Sequence, residues 1–344
     1  MTSTRLAERT KPARAPRRGL GLALAVLALA GACVLSLGVG AKAIPASDVI
    51  AAILDPDNGA EAPIVWSLRI PRTLMGLTAG AALGACGALI QALTRNPLAD
   101  PGILGVNAGA AFAITMAIAF LGLSSPWGYV WFAIAGAFVA TLAVYAIGSI
   151  GRAAATPVRM TLAGVAMSAV LAGVTQIVSL TNPRLFHSSL SWTVGSLGGR
   201  DLGIIAALAP LVGIGLVLAV LVTKPLNAWA LGDDLGRSLG GNPNRVRVIT
   251  ITAITVLAAA ATALAGPIGF VGLIVPHVVR WFTGPDQRWI VALSVVVAPV
   301  LLLVADSLGR ILLPNGELRV SIVTAFLGAP LMMGLVMRRK ASSL

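Results

Sequence analysis

The chain of 344 residues is 57% hydrophobic and only 11% charged, less than half the ~25% charged share of an average soluble domain. Long apolar runs between short polar joints, with a mean hydropathy of +0.92, exclude a water-soluble globular protein and indicate a polytopic membrane protein. The 25 basic and 12 acidic residues leave a net charge of +13, but the basic residues sit at the ends of apolar runs, where they report orientation rather than nucleic-acid binding.

A helix that crosses ~30 Å of hydrocarbon needs about 20 residues. Runs of that kind predict ten spans, at 19–41, 72–93, 101–122, 129–150, 160–181, 202–222, 246–265, 269–283, 289–309 and 319–337. The eighth is short and interrupted by Gly and Pro. The first is followed by Ala41-Lys42-Ala43, which has the form of a signal cleavage site. Its apolar stretch of about 20 residues exceeds the roughly 7–15 of a signal core, so a retained helix is expected. The chain then divides into a basic tail (1–18), one transmembrane domain (19–338) holding a cytoplasmic loop at 223–246, and a short tail (339–344).

With the N-terminus inside, the cytoplasmic joints hold 18 basic and 5 acidic residues, and the outer joints hold 7 and 7. The whole excess of +13 faces the cytoplasm, where both termini are expected. A faint inverted repeat accompanies this topology. Arg72 precedes a span leading to Asn96-Pro97, and Arg247 precedes one leading to Gly266-Pro267, the two entering from opposite sides.

Gly76, Gly80 and Gly84 recur every fourth residue on one helix face, which lets another backbone approach closely. Pro97 and Pro101 break the chain sharply, and Asn96 can satisfy freed backbone groups. Thr161, Ser168, Thr175 and Ser179 share one face of span five, where hydroxyls commonly bond back to their own helix. His277 follows Pro276, where a ring nitrogen can bond a freed carbonyl. No His, Cys or acidic residue lies within a turn to complete a metal site, so no metal is expected. In the joint Lys224–Arg247, Asn227 or Asp233 is placed to cap a short helix ending at Gly240-Gly241, before a turn at Asn242-Pro243.

The four lysines are followed by Pro12, Ala43, Pro225 and Ala341, so none belongs to a Walker A motif. Asp306 is the one acidic residue inside a predicted span, near its outer end, which supplies an ion-coupled secondary transporter poorly. That transporter is the rival reading. No nucleophile–base pair for an enzyme assembles from the spans.

Four blocks in order carry a resemblance that covers about 65–338. They are Arg69-Ile-Pro-Arg72 through Gly80-Ala-Ala-Leu-Gly84-Ala-Cys-Gly87, Gln91 and Asn96-Pro-Leu-Ala-Asp-Pro101-Gly-Ile-Leu-Gly105-Val; Leu231-Gly-Asp-Asp-Leu-Gly-Arg-Ser-Leu-Gly240; Gly266-Pro-Ile-Gly-Phe-Val-Gly-Leu-Ile-Val-Pro-His277-Val-Val-Arg280; and Gly316-Glu-Leu-Arg through Pro330. Together they resemble the FecCD-type permeases of bacterial ABC importers, which take up iron-siderophores, haem or cobalamin. Arg319 and Ser321 stand where that family usually has Pro and Gly.

The resemblance implies an all-α type II importer permease in the bacterial inner membrane, paired with a second permease chain, identical or paralogous. It also implies two ABC ATPases that carry ATP and Mg, and an extracytoplasmic substrate-binding protein; no cofactor is expected in this chain. Leu231, Gly232, Asp233, Asp234, Arg237, Leu239 and Gly240 would couple to the ATPase, and Thr161, Ser168, Thr175 and Ser179 would line the path. Arg69, Arg72 and Arg310 would dock acidic groups of the binding protein or, without the resemblance, simply anchor helix ends. Gln91, Asn96, Pro97, Gly266, Pro267, Pro276 and His277 would be structural.

Overall fold

Each apolar run folds as a helix, because a backbone in hydrocarbon must satisfy its own polar groups. In the computed structural model the described residues are 18–40, 42–56, 59–123, 125–150, 157–181, 194–199, 201–230, 242–313 and 316–341, and all their regular structure is helical. The helices are α1 (Arg18–Gly38), α2 (Ala46–Leu54), α3 (Ala62–Ile64), α4 (Ile70–Thr94), α5 (Val106–Leu121), α6 (Pro126–Gly148), α7 (Pro157–Leu180), α8 (Leu202–Trp229), α9 (Pro243–Ala265), α10 (Val271–Thr283), α11 (Gln287–Ile311) and α12 (Val320–Ala341). Seven are long and apolar enough to cross a membrane: α1, α4 with its lead-in from Ala62, α6, α7, α8, α9 and α11. The other three apolar runs form shorter apolar helices, Val106–Leu121, Val271–Thr283 and Val320–Gly334, the last continuing to Ala341.

Several boundaries differ from the sequence reading for local reasons. The run predicted from 101 begins its helix at Val106, because Pro101–Leu104 forms a separate 3-10 turn. Asp100 caps that turn through Gly102 N (2.8 Å), and Gly105 at φ 75° redirects the chain. Helix α8 continues to Trp229 instead of ending at 222, since Thr223, Leu226 and Trp229 still find buried positions. Helix α2 was not anticipated; at nine residues it is too short to register as a span. Ser125, Asn242 and Asp286 cap α6, α9 and α11, the first two followed by Pro at the first helical position.

Helices α4, α9 and α11 form the buried centre. Close approach is written into α4: a Cβ on Gly84 would overlap the Ser294 carbonyl, one on Gly80 would lie 2.6 Å from Pro299 Cα, and one on Gly87 would overlap the Gly272 carbonyl. The four-residue glycine spacing thus seats α4 on α11, and Gly87, three residues further on, seats it on α10. Helices α5 and α6 cross at Gly109 and Gly136 in the same way. Helix α7 leans on α5, α6 and the 101–104 turn, and it is the least covered of the seven long apolar helices.

Candidate functional site

One end of the bundle gathers the end of α1, the starts of α4, α8 and α12, and the end of α11 around a cavity of about 690 Å³. Lys42, Arg69, Arg72, Arg310 and Glu317 line it, together with Gly198 and Gly199. Four basic side chains face one acidic one on the lining, and just behind it Glu61 pairs with Lys42 and Asp306 with Arg72 and Arg310, so most of the positive charge is balanced within the chain.

The chain enters α4 through a π-helical turn, Val65–Arg69, which delivers Arg69 to the end of α1. There Arg69 donates to the carbonyls of Leu37 (3.3 Å), Val39 and Lys42 (2.6 Å). Arg310 donates to the carbonyls of Ser36 (2.9 Å) and Val39 (2.7 Å). The last carbonyls of α1 lack intrahelical partners and carry its negative dipole end, so two guanidinium groups complete that terminus. Arg72 grips Asp306 through Nε (2.9 Å) and Nη2 (2.9 Å), and its Nη1 donates to Glu317 (2.7 Å). Asp306, fully buried, also meets Arg310 at 2.9 Å. The structure therefore brings the three sequence-predicted arginines together and engages most of their donors inside the chain, leaving the buried Nε of Arg310 without a hydrogen bond. Asp306 was legible as the one acidic residue in a span, with Arg310 four residues on; its partnership with Arg72 was not.

Beside this basin, segment 194–199 is clasped between helix ends: Ser196 N donates to Ala265 O (2.8 Å) and Ser321 N to Gly195 O (3.3 Å). Arg319, one of the departures from the family pattern, donates to Val194 O (3.2 Å). Both departures thus meet the same strap.

The remaining candidates fall elsewhere. Gln91 is buried and donates to Leu273 O (3.0 Å), tying α4 to α10, while Asn96 Oδ1 accepts from Leu98 N (3.0 Å) beside Pro97. Gly266 (φ 72°) and Phe270 (φ 69°) turn the chain through Pro267 into α10, and the Phe270 ring fills the place where a Cβ on Gly328 would stand. Pro276 is buried in α10, and the His277 ring meets Trp281 edge-on with centroids 5.7 Å apart. On α7, Thr161 and Ser168 are half-buried, whereas Thr175 and Ser179 are buried, Thr175 bonding back to Leu171 O (2.7 Å). The open face of α7 carries Leu162, Val165, Val170 and Ile177.

The opposite end of the bundle precedes the segment with the coupling candidates. Leu231, Gly232, Asp233, Asp234, Arg237, Leu239 and Gly240 lie outside the described residues. Asn227 does not start a helix, as the sequence had allowed; it sits in the last turn of α8. Its side chain donates to Asp286 Oδ1 (2.8 Å) and accepts from Gln287 N (2.8 Å). Desolvation alone would raise the Asp286 carboxyl, but Asn227, the Arg288 amide and the charges of Arg18 and Arg288 outweigh it and hold the group below its ordinary range. Asp100 goes the other way: burial pushes its carboxyl up against the opposing bond from the Gly102 amide. Among the described residues, no cluster of three His, Cys, Asp or Glu side chains that could hold a metal ion occurs.

Comparison with known proteins adds to this geometry. Residues 27–338 match the FecCD transport family. The chain is 48% identical over 314 residues, 91% of its length and 94% of the relative's, to the ferric enterobactin transport system permease protein FepD of Escherichia coli (strain K12). It is 39% identical over 296 residues, 86% of the chain and 88% of the relative, to the Fe(3+)-citrate import system permease protein YfmD of Bacillus subtilis (strain 168). A solved chain described as an inward-facing conformation of a transporter assigned to the metal-chelate ABC type superposes with a TM-score of 0.80 at 26% identity, covering 93% of this chain and 99% of that one. A bundle of apolar helices knit by glycine contacts, four motif blocks in order and a match to 27–338 agree: this multi-pass membrane protein belongs to the FecCD transport family.

Proposed function

We propose that this chain is the permease subunit through which an ATP-binding-cassette importer passes a ferric siderophore, of the ferric enterobactin class, into a bacterial cytoplasm. The observation that carries the proposal is the 48% identity, along nearly all of both chains, to a permease named for ferric enterobactin transport. ATP and Mg belong to two separate ATPase subunits, in keeping with lysines that none of them opens a Walker A motif. Two permease chains enclose the path, α7 lines it with Thr161 and Ser168 as its half-open hydroxyls, and a substrate-binding protein sits outside.

The charge distribution supports the orientation, with both tails and the loop 223–246 of the transmembrane domain 19–338 in the cytoplasm. The basic cavity then faces the binding protein. Acidic groups of that partner would compete with Glu317 for Arg72 at the rim, while Arg69 and Arg310 hold the rim's shape. Leu231, Gly232, Asp233, Asp234, Arg237, Leu239 and Gly240 contact the ATPase.

Proteoliposomes holding the complete complex test the proposal, with ⁵⁵Fe-enterobactin presented on the binding protein. Uptake that requires ATP supports it, and binding protein that takes up no ferric catecholate removes the substrate class. Exchanging Asp233 and Asp234 for Lys is expected to lose the copurifying ATPase; unchanged assembly would remove the coupling assignment.

A further inference from the structure

In sequence, the segment 231–241 joins the last turn of α8 to Asn242, which caps α9 through Asn244 N (3.1 Å) and Arg245 N (3.2 Å). A push on that segment enters the bundle at the start of α9 and at the end of α8. By sequence this end is weak. Pro225 lies inside α8, where it removes one backbone hydrogen bond and permits a kink just before the final turn.

Beyond Pro225 the turn is held from outside its own helix, at two points. The Asn227 amide uses both of its ends on the first turn of α11, donating to Asp286 Oδ1 and accepting from Gln287 N, each at 2.8 Å. Arg95, the left-handed residue that closes α4, donates from Nη2 to the Trp229 carbonyl at 2.9 Å. Asp286 is itself braced, capping α11 through Arg288 N (3.1 Å) and pairing with Arg18 of α1 at 3.5 Å. Leu226 and Trp229 are buried between these contacts. The two helices so gripped, α4 and α11, are the ones whose far ends carry Arg72 and Asp306 at the basic cavity.

We infer that Asn227, with Asp286 and Arg95 as its supports, is a positioning residue that stiffens α8 past Pro225 and carries movement of segment 231–241 into α4 and α11. The inference rests on the proposed contact of that segment with a separate ATPase. A merely structural tie would govern how much complex assembles; a positioning tie governs how much cargo moves per ATP. Rigid elements joined by specific bonds transmit displacement, whereas a hinge at Pro225 would absorb it.

The test uses the full complex in proteoliposomes with ⁵⁵Fe-enterobactin as probe, measuring copurified ATPase, Mg-ATP hydrolysis and iron taken up per ATP. Asn227→Ala is expected to keep ATPase binding and hydrolysis within about twofold and to lower iron per ATP about tenfold, the effect of losing a hydrogen bond to a charged group. The double exchange Asn227→Asp with Asp286→Asn again faces a donor with an acceptor and still offers an acceptor to the Gln287 amide. It is expected to restore the ratio to within about twofold.

An unchanged ratio in Asn227→Ala, or an assembled double exchange that stays uncoupled, would overturn the inference. Should Asn227→Ala fail to assemble, Asn227→Asp alone replaces it: two facing carboxylates must uncouple and the double exchange recouple, and equal ratios contradict the claim. Failure of the unmodified chain to bind an ATPase would instead count against the permease reading itself.

Discussion

Asp306 is where the charges at one end of the bundle meet, fully buried between Arg72 and Arg310. Removing one partner of a buried ion pair leaves uncompensated charge and costs about 3–5 kcal/mol, whereas an exposed pair contributes about 0–1 kcal/mol. Asp306→Ala is therefore expected to lower thermal stability by about 3 kcal/mol, and Glu317→Ala, on the exposed carboxylate, by less than about 1 kcal/mol. Unfolding followed by tryptophan fluorescence in nanodiscs reads the contrast, and equal losses would contradict it. The sequence marked both Asp306 and Arg72 as unusual, but 234 residues separate them and no pattern joins them. At the opposite end, Asp286 titrates below its ordinary value. A carboxyl depressed in the folded state contributes stability above its unfolded pKa of about 3.9 and loses it as pH falls through the folded value. The Asn227–Asp286 tie should therefore persist from pH 5 to 8 and weaken only in acid. Asp286→Asn should flatten that acid limb in a stability-versus-pH series, and an unchanged limb would count against it.

At the scale of elements, helix existence was legible and helix contact was only half so. All ten apolar runs became helices, seven of them long and apolar enough to cross a membrane, because an apolar run in a bilayer must satisfy its own backbone groups. The start of α5 shifted because a proline turn with an Asp cap preceded it, and α8 grew because its last two turns are buried by other helices, which a hydropathy count does not see. The glycine spacing on α4 announced a close neighbour without naming α11. Gly84→Leu should accordingly prevent folding, since even a Cβ there overlaps the Ser294 carbonyl. Gly213→Ala on α8 meets open space and should be neutral or stabilise by roughly 0.5–1 kcal/mol. Yield of monodisperse protein checks the first and a melting curve the second; a well-folded Gly84→Leu would contradict the packing. The hydroxyls of α7 show the limit of periodicity: one shared face was visible in sequence, but whether it met a neighbour or open space was not. The structure buries Thr175 and Ser179 and leaves aliphatic residues open.

For the molecule as a whole, the charged side chains gather at two ends with different work. One end collects arginines that complete α1, grip Asp306 and line a basic cavity; the other holds the short ties that fasten α8 to α4 and α11. The orientation predicts that a cysteine placed at Asp233, in a background without Cys33 and Cys86, reacts with an impermeant thiol reagent only from the cytoplasmic side; labelling from outside would invert the topology. The central claim, an ATP-driven permease, is tested most directly by iron uptake into proteoliposomes that contain the chain with its ATPase and binding protein. Uptake of ⁵⁵Fe-enterobactin that needs ATP and proceeds without a proton gradient is the predicted result. Uptake driven by a proton gradient in the absence of ATP would contradict it.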